Sequence, residues 1–413
     1  MSWNGKKVAF LGLGVDAGDV EAWLRTQGAE ITILDEKKDP DAFADLTKYD
    51  ALVRSPGVYR YREEILAAEK AGVVVTSKMK IFFDVCPTKN IIGVTGTKGK
   101  GTTSTLIYEM LKAAEKDVFI GGNIGKGMFE HLERITPETW VVLELSSFQL
   151  IDLHASPHIA VTLMVTSDHL DWHKNLKEYI DAKSAITRFQ KASDASIFND
   201  QYLLSVRIGL LGEGEKIPVR RSDWSAHVRL RGEHNKENFA AAAAVARITG
   251  VSEETILAVA KEFKGLEHRL EEVATVEGVT YYDDSISTTP DTAIAAMNAF
   301  TEPLVLFLGG SDKGADFTEI GQAIANVTHV KGIVLIGATS EKIKASLNQA
   351  GANIPVQEGA QTMQEAVAQA RAMSTSGSVV VLSPACASFG MFKNYKDRGD
   401  QFKEAVLRIQ HKL

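Results

Sequence analysis

The stretch Thr95-Gly96-Thr97-Lys98-Gly99-Lys100-Gly101-Thr102-Thr103 follows a β-branched run at 91–94 and precedes a helical pattern at 104–114. Glycines at a strand-to-helix turn let backbone N–H groups close around phosphate oxygens, and the helix N-terminus adds its dipole. Lys100 has the reach to contact the β- and γ-phosphates of a nucleotide. The stretch therefore predicts a phosphate-binding loop (P-loop) in a parallel α/β sheet.

This loop departs from the usual pattern G-x-x-x-x-G-K-[ST]. Its spacing is G-x-x-G-K, and Gly101 occupies the position where a metal-binding hydroxyl is expected. Thr102 or Thr103 must then supply that hydroxyl to Mg²⁺. A purely structural glycine-rich turn is the alternative, and the strand–loop–helix context argues against it.

Short β-branched runs alternate with amphipathic stretches along the whole chain, which is typical of parallel α/β sheets. The predicted strands lie at 8–11, 31–34, 91–95, 141–145, 159–165, 305–308, 333–336 and 379–382. Breaks near residues 88 and 265 predict three domains, 1–88, 89–265 and 266–413, of the usual size. The segment 201–228 has weak periodicity, so we expect irregular strands and loops there.

Composition and charge exclude several classes of protein. Of the 413 residues, 45% are hydrophobic and 24% charged, which is a globular mixture. A net charge of −7 gives no basic excess for nucleic acid or an anionic membrane. Cys86 and Cys386 support neither a disulfide framework nor a cysteine zinc site. Since no apolar run approaches the ~20 residues of a membrane span, we expect a cytoplasmic protein.

Acidic and imidazole side chains follow two predicted strands of the middle segment. Glu144 closes one strand, and the turn Asp168-His169-Leu170-Asp171 follows the other. Open α/β sheets bind ligands at this edge, and Mg²⁺ prefers oxygen ligands, so Glu144 is a candidate metal carboxylate. An ordinary surface turn explains the His169 segment equally well. Lysine side chains are rarely buried, so Lys183, in a helical stretch, would ordinarily be expected to be exposed to solvent.

The N-terminal segment carries a glycine motif, Gly12-Leu13-Gly14-Val15-Asp16-Ala17, with Asp35 closing the next strand. This spacing is typical of dinucleotide binding and favours a nicotinamide oxidoreductase when taken alone. That function leaves the P-loop, Glu144 and Lys183 without a role. Asp16 is also unfavourable beside a pyrophosphate, so a partly structural motif is the other interpretation.

The order of these motifs resembles the Mur ligase family over nearly the whole chain. The resemblance rests on the P-loop, Lys183 and the segments 121–125, 144–150, 168–171, 232–238, 265–269, 283–289, 309–317 and 383–388. It implies a Rossmann-like N-terminal domain, a P-loop central ATPase domain and a Rossmann-like C-terminal domain. It also implies an ATP-dependent ligase that joins D-glutamate to UDP-N-acetylmuramoyl-L-alanine through an acyl phosphate, in peptidoglycan precursor synthesis.

The resemblance further implies a role for particular residues. It places the nucleotide substrate at Val15, Asp16, Asp35, Ser55, Gly57 and Asn123, and the incoming glutamate at Thr288, Lys313, Ser388 and Tyr395. It places ATP at Gly96, Thr97, Lys98, Gly99, Lys100, Gly101, Thr102, Thr103, Asn235, Asn238, Arg269 and Asp284. It assigns catalysis to Lys100, Glu144, His169 and Lys183. It assigns Mg²⁺ binding to Thr102, Glu144, His169 and a carbamylated Lys183. We expect a monomer without a nucleic-acid partner or a membrane span.

Three positions depart from the family's pattern. Gly101 replaces the usual Ser or Thr after the P-loop lysine, as in folylpolyglutamate synthetases. Ile286 stands where a lysine is common, and Tyr395 replaces an aromatic residue without a hydroxyl. These departures leave open an L-glutamate-adding ligase, a folylpolyglutamate synthetase-like ligase and a non-catalytic nucleotide-binding relative.

Overall fold

The computed structural model contains three β-sheets in its described residues, and each sheet is built from a different third of the chain. The structure describes residues 2–12, 17–124, 127–226, 230–232 and 234–410, so the predicted substrate residues Val15 and Asp16 lie outside the described residues. Residues Met1–Val228 and Glu233–Glu262 form one compact unit, which contains the first two sheets. Arg229–Gly232 and Phe263–Leu413 form the second unit. The α/β class is confirmed, while the boundaries at 88 and 265 stay predictions.

The first sheet has four parallel strands in the order β2-β1-β3-β4. Its elements are β1 (Lys7–Leu11), α1 (Gly18–Thr26), β2 (Glu30–Leu34), β3 (Ala51–Arg54), α2 (Glu63–Lys70), β4 (Val74–Ser77) and α3 (Lys78–Val85). Ser77 caps α3 by accepting a hydrogen bond from the backbone N–H of Lys80 at 3.2 Å. Because the strands are parallel, their carboxyl ends meet at one edge of the sheet.

The second sheet has six parallel strands in the order β10-β9-β8-β5-β7-β6. Its strands are β5 (Ile91–Thr95), β6 (Val118–Gly122), β7 (Trp140–Glu144), β8 (Ile159–Thr162), β9 (Ala195–Asn199) and β10 (Glu215–Val219). Its helices are α4 (Lys100–Ala113), α5 (Ser147–Leu150), α6 (Leu176–Arg188), α7 (Leu203–Gly209), α8 (His234–Ile248) and α9 (Glu253–Glu262). Strand β5 lies between β8 and β7, so the P-loop leaves the middle of the sheet.

The third sheet has the order β11-β12-β16-β13-β14-β15, with β11 antiparallel to β12 and the other pairs parallel. Its strands are β11 (Glu271–Val276), β12 (Val279–Asp283), β13 (Leu304–Leu308), β14 (Val330–Leu335), β15 (Val356–Gln357) and β16 (Val379–Leu382). Its helices are α10 (Pro290–Met297), α11 (Thr318–Ala325), α12 (Ser340–Gln349), α13 (Met363–Ala372) and α14 (Tyr395–Gln410). Helices of the described chain include none that is both long and apolar enough to span a bilayer.

Several details of the sequence prediction are wrong, and some strands, among them β3, were not predicted. Helix α4 begins at Lys100 rather than at 104, because Gly99 already acts as its N-cap. Strand β8 ends at Thr162 rather than at 165, because the following residues turn to the P-loop, where Thr97 N donates to Met164 O at 2.7 Å. Within 201–226, where irregular strands and loops were predicted, the structure has the helix α7 and the regular edge strand β10, whose Pro218 and charges weaken its apolar signal.

Candidate active site

The P-loop is shaped by its glycines and by two lysines. Gly99 has a φ of 87°, and a Cβ atom there would overlap Oδ1 of Asn238, so the position requires glycine. The Nζ of Lys100 donates to Gly96 O at 3.0 Å and to Thr97 O at 3.1 Å. The side chain of Lys100 therefore folds back over the P-loop, and its contact with phosphate stays a prediction.

The start of helix α8 lies against this loop. Asn235 and Asn238 are both buried, and Nδ2 of Asn238 donates to Oδ1 of Asn235 at 3.0 Å. The structure therefore brings both predicted ATP-binding amides to the P-loop. Their assignment to adenine stays a prediction.

Lys183 lies beneath the P-loop and is only 2% exposed, so the base-rate expectation of a solvated lysine is wrong. Its Nζ donates to Gly96 O at 3.0 Å and to Thr95 Oγ1 at 3.3 Å, and it lies 4.8 Å from the centre of the Tyr179 ring. Burial, followed by the charge of Lys100, lowers the pKa of Lys183 well below its ordinary value. Lys183 is therefore disposed to be a neutral amine.

Glu144 is the last residue of strand β7 and is buried. Strand β7 pairs with β5, the strand that the P-loop follows. Its Oε1 accepts a hydrogen bond from Nδ2 of Asn123 at 3.0 Å, and its backbone carbonyl accepts from Asn123 N at 2.9 Å. Asn123 follows strand β6, the neighbour of β7. A predicted metal carboxylate and a predicted substrate amide are thus held side by side.

The structure relates His169 to the predicted metal site through a neighbouring aromatic ring. It has a φ of 53°, and its ring lies 4.9 Å from the ring of Phe148. Tyr179 connects it to Lys183, since the centres of the His169 and Tyr179 rings are 6.4 Å apart. Among the described residues, the groups of three His, Cys, Asp or Glu side chains close enough for one ion include His268 and not His169. The set Thr102, Glu144, His169 and Lys183 therefore stays a prediction.

A partly buried chain of hydrogen bonds that the sequence did not reveal connects Tyr59 to the start of helix α5. His173 Nε2 lies 2.9 Å from Ser147 Oγ, and His173 Nδ1 lies 3.3 Å from Glu178 Oε1. Tyr59 OH donates to Glu178 Oε2 at 2.8 Å. Burial lowers the pKa of His173, which favours the neutral imidazole. Because Ser147 is buried, we interpret the chain as structural support rather than as a nucleophile with its base.

A cavity of about 550 Å³ lies within the first compact unit. Its walls include four predicted substrate residues, Asp35, Ser55, Gly57 and Asn123. The lining also contains residues that the sequence did not indicate for this site, among them Lys37, Arg54, Lys78, Phe148 and Gln149. The described residues predicted to hold the nucleotide substrate are therefore brought together, at one end beside Glu144.

Arg54 joins two walls of this cavity and is 1% exposed. Its Nη1 donates to the carbonyl oxygens of Ser55 at 3.0 Å and Val58 at 2.6 Å, and its Nη2 donates to Phe148 O at 2.6 Å. Its Nε donates to Asp152 Oδ2 at 2.8 Å. Asp152 also pairs with Arg60, at 3.0 Å. The turn after β3 and the helix α5 are thus fixed by one guanidinium group.

The predicted C-terminal site residues all belong to the second compact unit. Asp284 and Ser388 are buried, Tyr395 is half-buried, and Arg269, Thr288 and Lys313 are exposed. Asp284 accepts hydrogen bonds from Leu270 N at 3.1 Å and Ser383 Oγ at 2.7 Å, and burial raises its pKa to about 6. These internal bonds use both of its oxygens, and its predicted contact with ribose stays a prediction.

Arg398 organises the loops around these residues and was not predicted. It is fully buried and donates to Ser285 Oγ at 2.9 Å, Ser285 O at 2.8 Å and Cys386 O at 2.9 Å. Ser285 Oγ in turn donates to Tyr395 O at 2.7 Å. The loops after β12 and β16 are therefore held to the start of α14. Lys313, on a third loop, lies with its Nζ 5.3 Å from the centre of the Phe389 ring.

Two family models match this chain. Residues 94–211 match the Mur ligase middle domain, and residues 268–386 match the Mur ligase, glutamate ligase domain. Among similar curated proteins is the UDP-N-acetylmuramoylalanine--D-glutamate ligase of Acetivibrio thermocellus, 37% identical over 98% of this chain and 97% of the relative. Proteins of the same name from Symbiobacterium thermophilum and Clostridium perfringens are 35% and 34% identical, covering 97% and 98% of this chain and 98% and 97% of their own.

Solved structures of low sequence identity share the fold. UDP-N-acetylmuramate-alanine ligase MurC from Thermotoga maritima superposes with a TM-score of 0.58 at 20% identity, covering 99% of this chain and 100% of its own. MurF ligase from the same organism, in complex with ADP, gives 0.58 at 17% identity, covering 98% and 96%. With two matched domains and relatives above 30% identity over nearly its full length, the chain belongs to the Mur ligase family.

Proposed function

We propose that the chain joins D-glutamate to UDP-N-acetylmuramoyl-L-alanine with hydrolysis of ATP, in peptidoglycan precursor synthesis. The curated relatives with 33–37% identity carry that activity in their names. The structural observation that carries the proposal is the cavity wall at Asn123, whose amide donates to Glu144 at 3.0 Å. This contact joins a pocket for the nucleotide substrate to a carboxylate at the P-loop edge. We propose that the enzyme acts as a monomer in the cytoplasm.

The reaction couples two transfers. The alanyl carboxylate attacks the γ-phosphate of ATP, which releases ADP and forms an acyl phosphate. The amine of glutamate then attacks the acyl carbon, and inorganic phosphate leaves from the tetrahedral intermediate. Backbone N–H groups of the P-loop and the ammonium of Lys100 offset the negative charge that develops during phosphoryl transfer.

The donor set at the P-loop edge fits Mg²⁺ under one condition. Glu144 supplies a buried carboxylate, Thr102 a hydroxyl and His169 an imidazole, but the ammonium form of Lys183 would repel the ion. A neutral Lys183 amine can react with CO₂ to give a carbamate, which supplies oxygens in place of a positive charge. Its burial and its lowered pKa support this proposal. Bound Mg²⁺ would neutralise charge on the transferred phosphoryl group.

A substrate panel tests the proposed function. The purified protein is mixed with ATP, Mg²⁺ and UDP-N-acetylmuramoyl-L-alanine, and phosphate release is measured with D-glutamate, with L-glutamate, and with a folate acceptor plus glutamate. We expect release that requires both the muramoyl nucleotide and D-glutamate. Release with L-glutamate and not with D-glutamate would identify the L-glutamate-adding ligase. Release with the folate acceptor would instead identify a folylpolyglutamate synthetase-like ligase, the class of enzyme that shares the Gly-Lys-Gly-Thr sequence.

A further inference from the structure

The cavity of the first compact unit has to accommodate an anionic ligand, yet its described lining contains few cations. They are Lys37, Arg54 and Lys78, and the acids Asp35 and Glu36 lie in the same lining. The guanidinium of Arg54 already donates to Asp152 and to the carbonyl oxygens of Ser55, Pro56, Val58 and Phe148. Arg54 therefore shapes the wall and is committed to protein oxygens.

Lys37 and Lys78 stand at different places in this lining. Lys37 is exposed and follows strand β2, next to Asp35, whose Oδ1 accepts from Lys37 N at 3.0 Å. Lys78 is the first residue of α3, and only 20% of its side chain is exposed. A partly buried ammonium interacts more strongly with an anion than an exposed one, because it is less screened by water and salt.

A fixed carboxylate holds the ammonium of Lys78 in place. Its Nζ lies 2.7 Å from Asp19 Oδ1, and the side chain of Asp19 is 5% exposed. Asp19 Oδ1 also accepts from Val20 N at 2.8 Å, and Asp19 Oδ2 accepts from Phe129 N at 3.1 Å. Because both oxygens of Asp19 are fixed by backbone N–H groups, the position of the ammonium is set before any ligand binds.

The position of Lys78 in the sheet is the one at which parallel sheets bind phosphate. Gly12 follows β1, Ser55 follows β3 and Lys78 follows β4, and all three line the cavity. The partner Asp19 belongs to the first turn of α1, whose N-terminus is the positive end of the helix dipole. Lys78 therefore adds a full charge at the edge where backbone dipoles already favour an anion.

We propose that Lys78 binds the diphosphate of the UDP-linked substrate and is the main source of phosphate affinity among the described side chains that line this cavity. This inference rests on the proposed function, which supplies a UDP group as the ligand. The ammonium of Lys78 belongs to the cavity lining, so it can donate a hydrogen bond to a phosphate oxygen of the ligand. Charge-assisted hydrogen bonds of this kind are the strong ones.

Binding of UDP and of uridine by calorimetry tests the inference, because the two ligands differ only in the diphosphate. We expect Lys78→Met to weaken UDP binding at least tenfold and to leave uridine binding within twofold of the unchanged protein. Lys80→Met is the matched control, since Lys80 lies two residues further along α3, pairs with Asp84 and is not part of the cavity lining. That control should leave both affinities unchanged.

Unchanged UDP binding in Lys78→Met, or an equal loss of UDP and uridine binding, would overturn the inference and leave the proposed function standing. If the unchanged protein bound neither UDP nor uridine, both would fail. Lys78→Gln, which keeps a polar group of similar length, guards against a folding defect and should show the same selective loss of UDP affinity. Thermal unfolding of each variant confirms that the comparison is made on folded protein.

Discussion

Replacing Arg54 with methionine removes the group that joins two walls of the substrate cavity. In the variant, the carbonyl oxygens of Val58 and Phe148 lose the donor that Arg54 supplies, and Asp152 keeps Arg60 as its partner. The carbonyl oxygen of Ser55 keeps the N–H of Val58, at 3.0 Å. Breaking a buried ion pair by removing one partner costs about 3–5 kcal/mol, and we take about 3 kcal/mol because Arg60 remains. At about 2–4 °C per kcal/mol, the unfolding midpoint should fall by about 6–12 °C.

Kinetics distinguish this positioning role from a general loss of stability. Arg54→Lys keeps a charge for Asp152 but lacks the planar fork that reaches both the turn and Phe148. We therefore expect Arg54→Lys to recover part of the lost stability and still to raise KM for UDP-N-acetylmuramoyl-L-alanine about tenfold, with KM for ATP unchanged. Arg60→Gln is the matched control, because Arg60 shares Asp152 without contacting the turn. It should cost less than half as much stability and leave both KM values unchanged.

Two results would refute this reasoning. The first is an unfolding midpoint of Arg54→Met within 2 °C of the unchanged protein. The second is a KM for the muramoyl nucleotide that responds equally to changes at Arg54 and Arg60.

Three further predictions concern the P-loop and Asp284. Lys183→Met should abolish phosphate release without unfolding the protein, and removal of CO₂ should lower the activity of the unchanged enzyme; full activity in both cases would exclude the carbamate. Gly99→Ala should weaken ATP binding at least tenfold in calorimetry, because its φ of 87° and the Asn238 amide both exclude a Cβ atom, and unaltered binding would contradict this geometry. Because the pKa of Asp284 rises from 3.8 to about 6 on folding, its ionised form destabilises the protein by about 3 kcal/mol above pH 6, a cost that disappears as the pH falls from 6 to 4. Unfolding midpoints measured from pH 4 to 7 should therefore show a smaller pH dependence in Asp284→Asn, and identical curves would contradict the shift.

Much of the fold was predictable because most of the predicted strands are buried along their length and appear as continuous β-branched runs. Strands β5 and β16 end where the pattern placed them. The missed strand β3 has only four residues and ends in Arg54, and β10 is a charged edge strand. Such segments become strands through pairing with neighbours that are distant in sequence, which local patterns do not record.

The candidate site likewise contains some residues that the sequence indicated and others that it did not. The P-loop and Asp35 belong to motifs with fixed spacing, and Glu144 closes a predicted strand, so the residues themselves indicated them. Ser55 was predicted from the family resemblance alone. Arg54 carries no motif, and its burial depends on Asp152, 98 residues away. A lysine such as Lys183 or Lys78 likewise looks solvated until the fold places it beneath a loop or in a cavity wall.

The most direct test of the ligase mechanism follows oxygen from the alanyl carboxylate. UDP-N-acetylmuramoyl-L-alanine labelled with ¹⁸O in that carboxylate is converted with ATP and D-glutamate, and the released phosphate is analysed by mass spectrometry. An acyl phosphate intermediate requires that one ¹⁸O atom enters each inorganic phosphate as the glutamyl amide forms. Phosphate without label, or labelled phosphate formed equally well with L-glutamate, would contradict the proposed reaction.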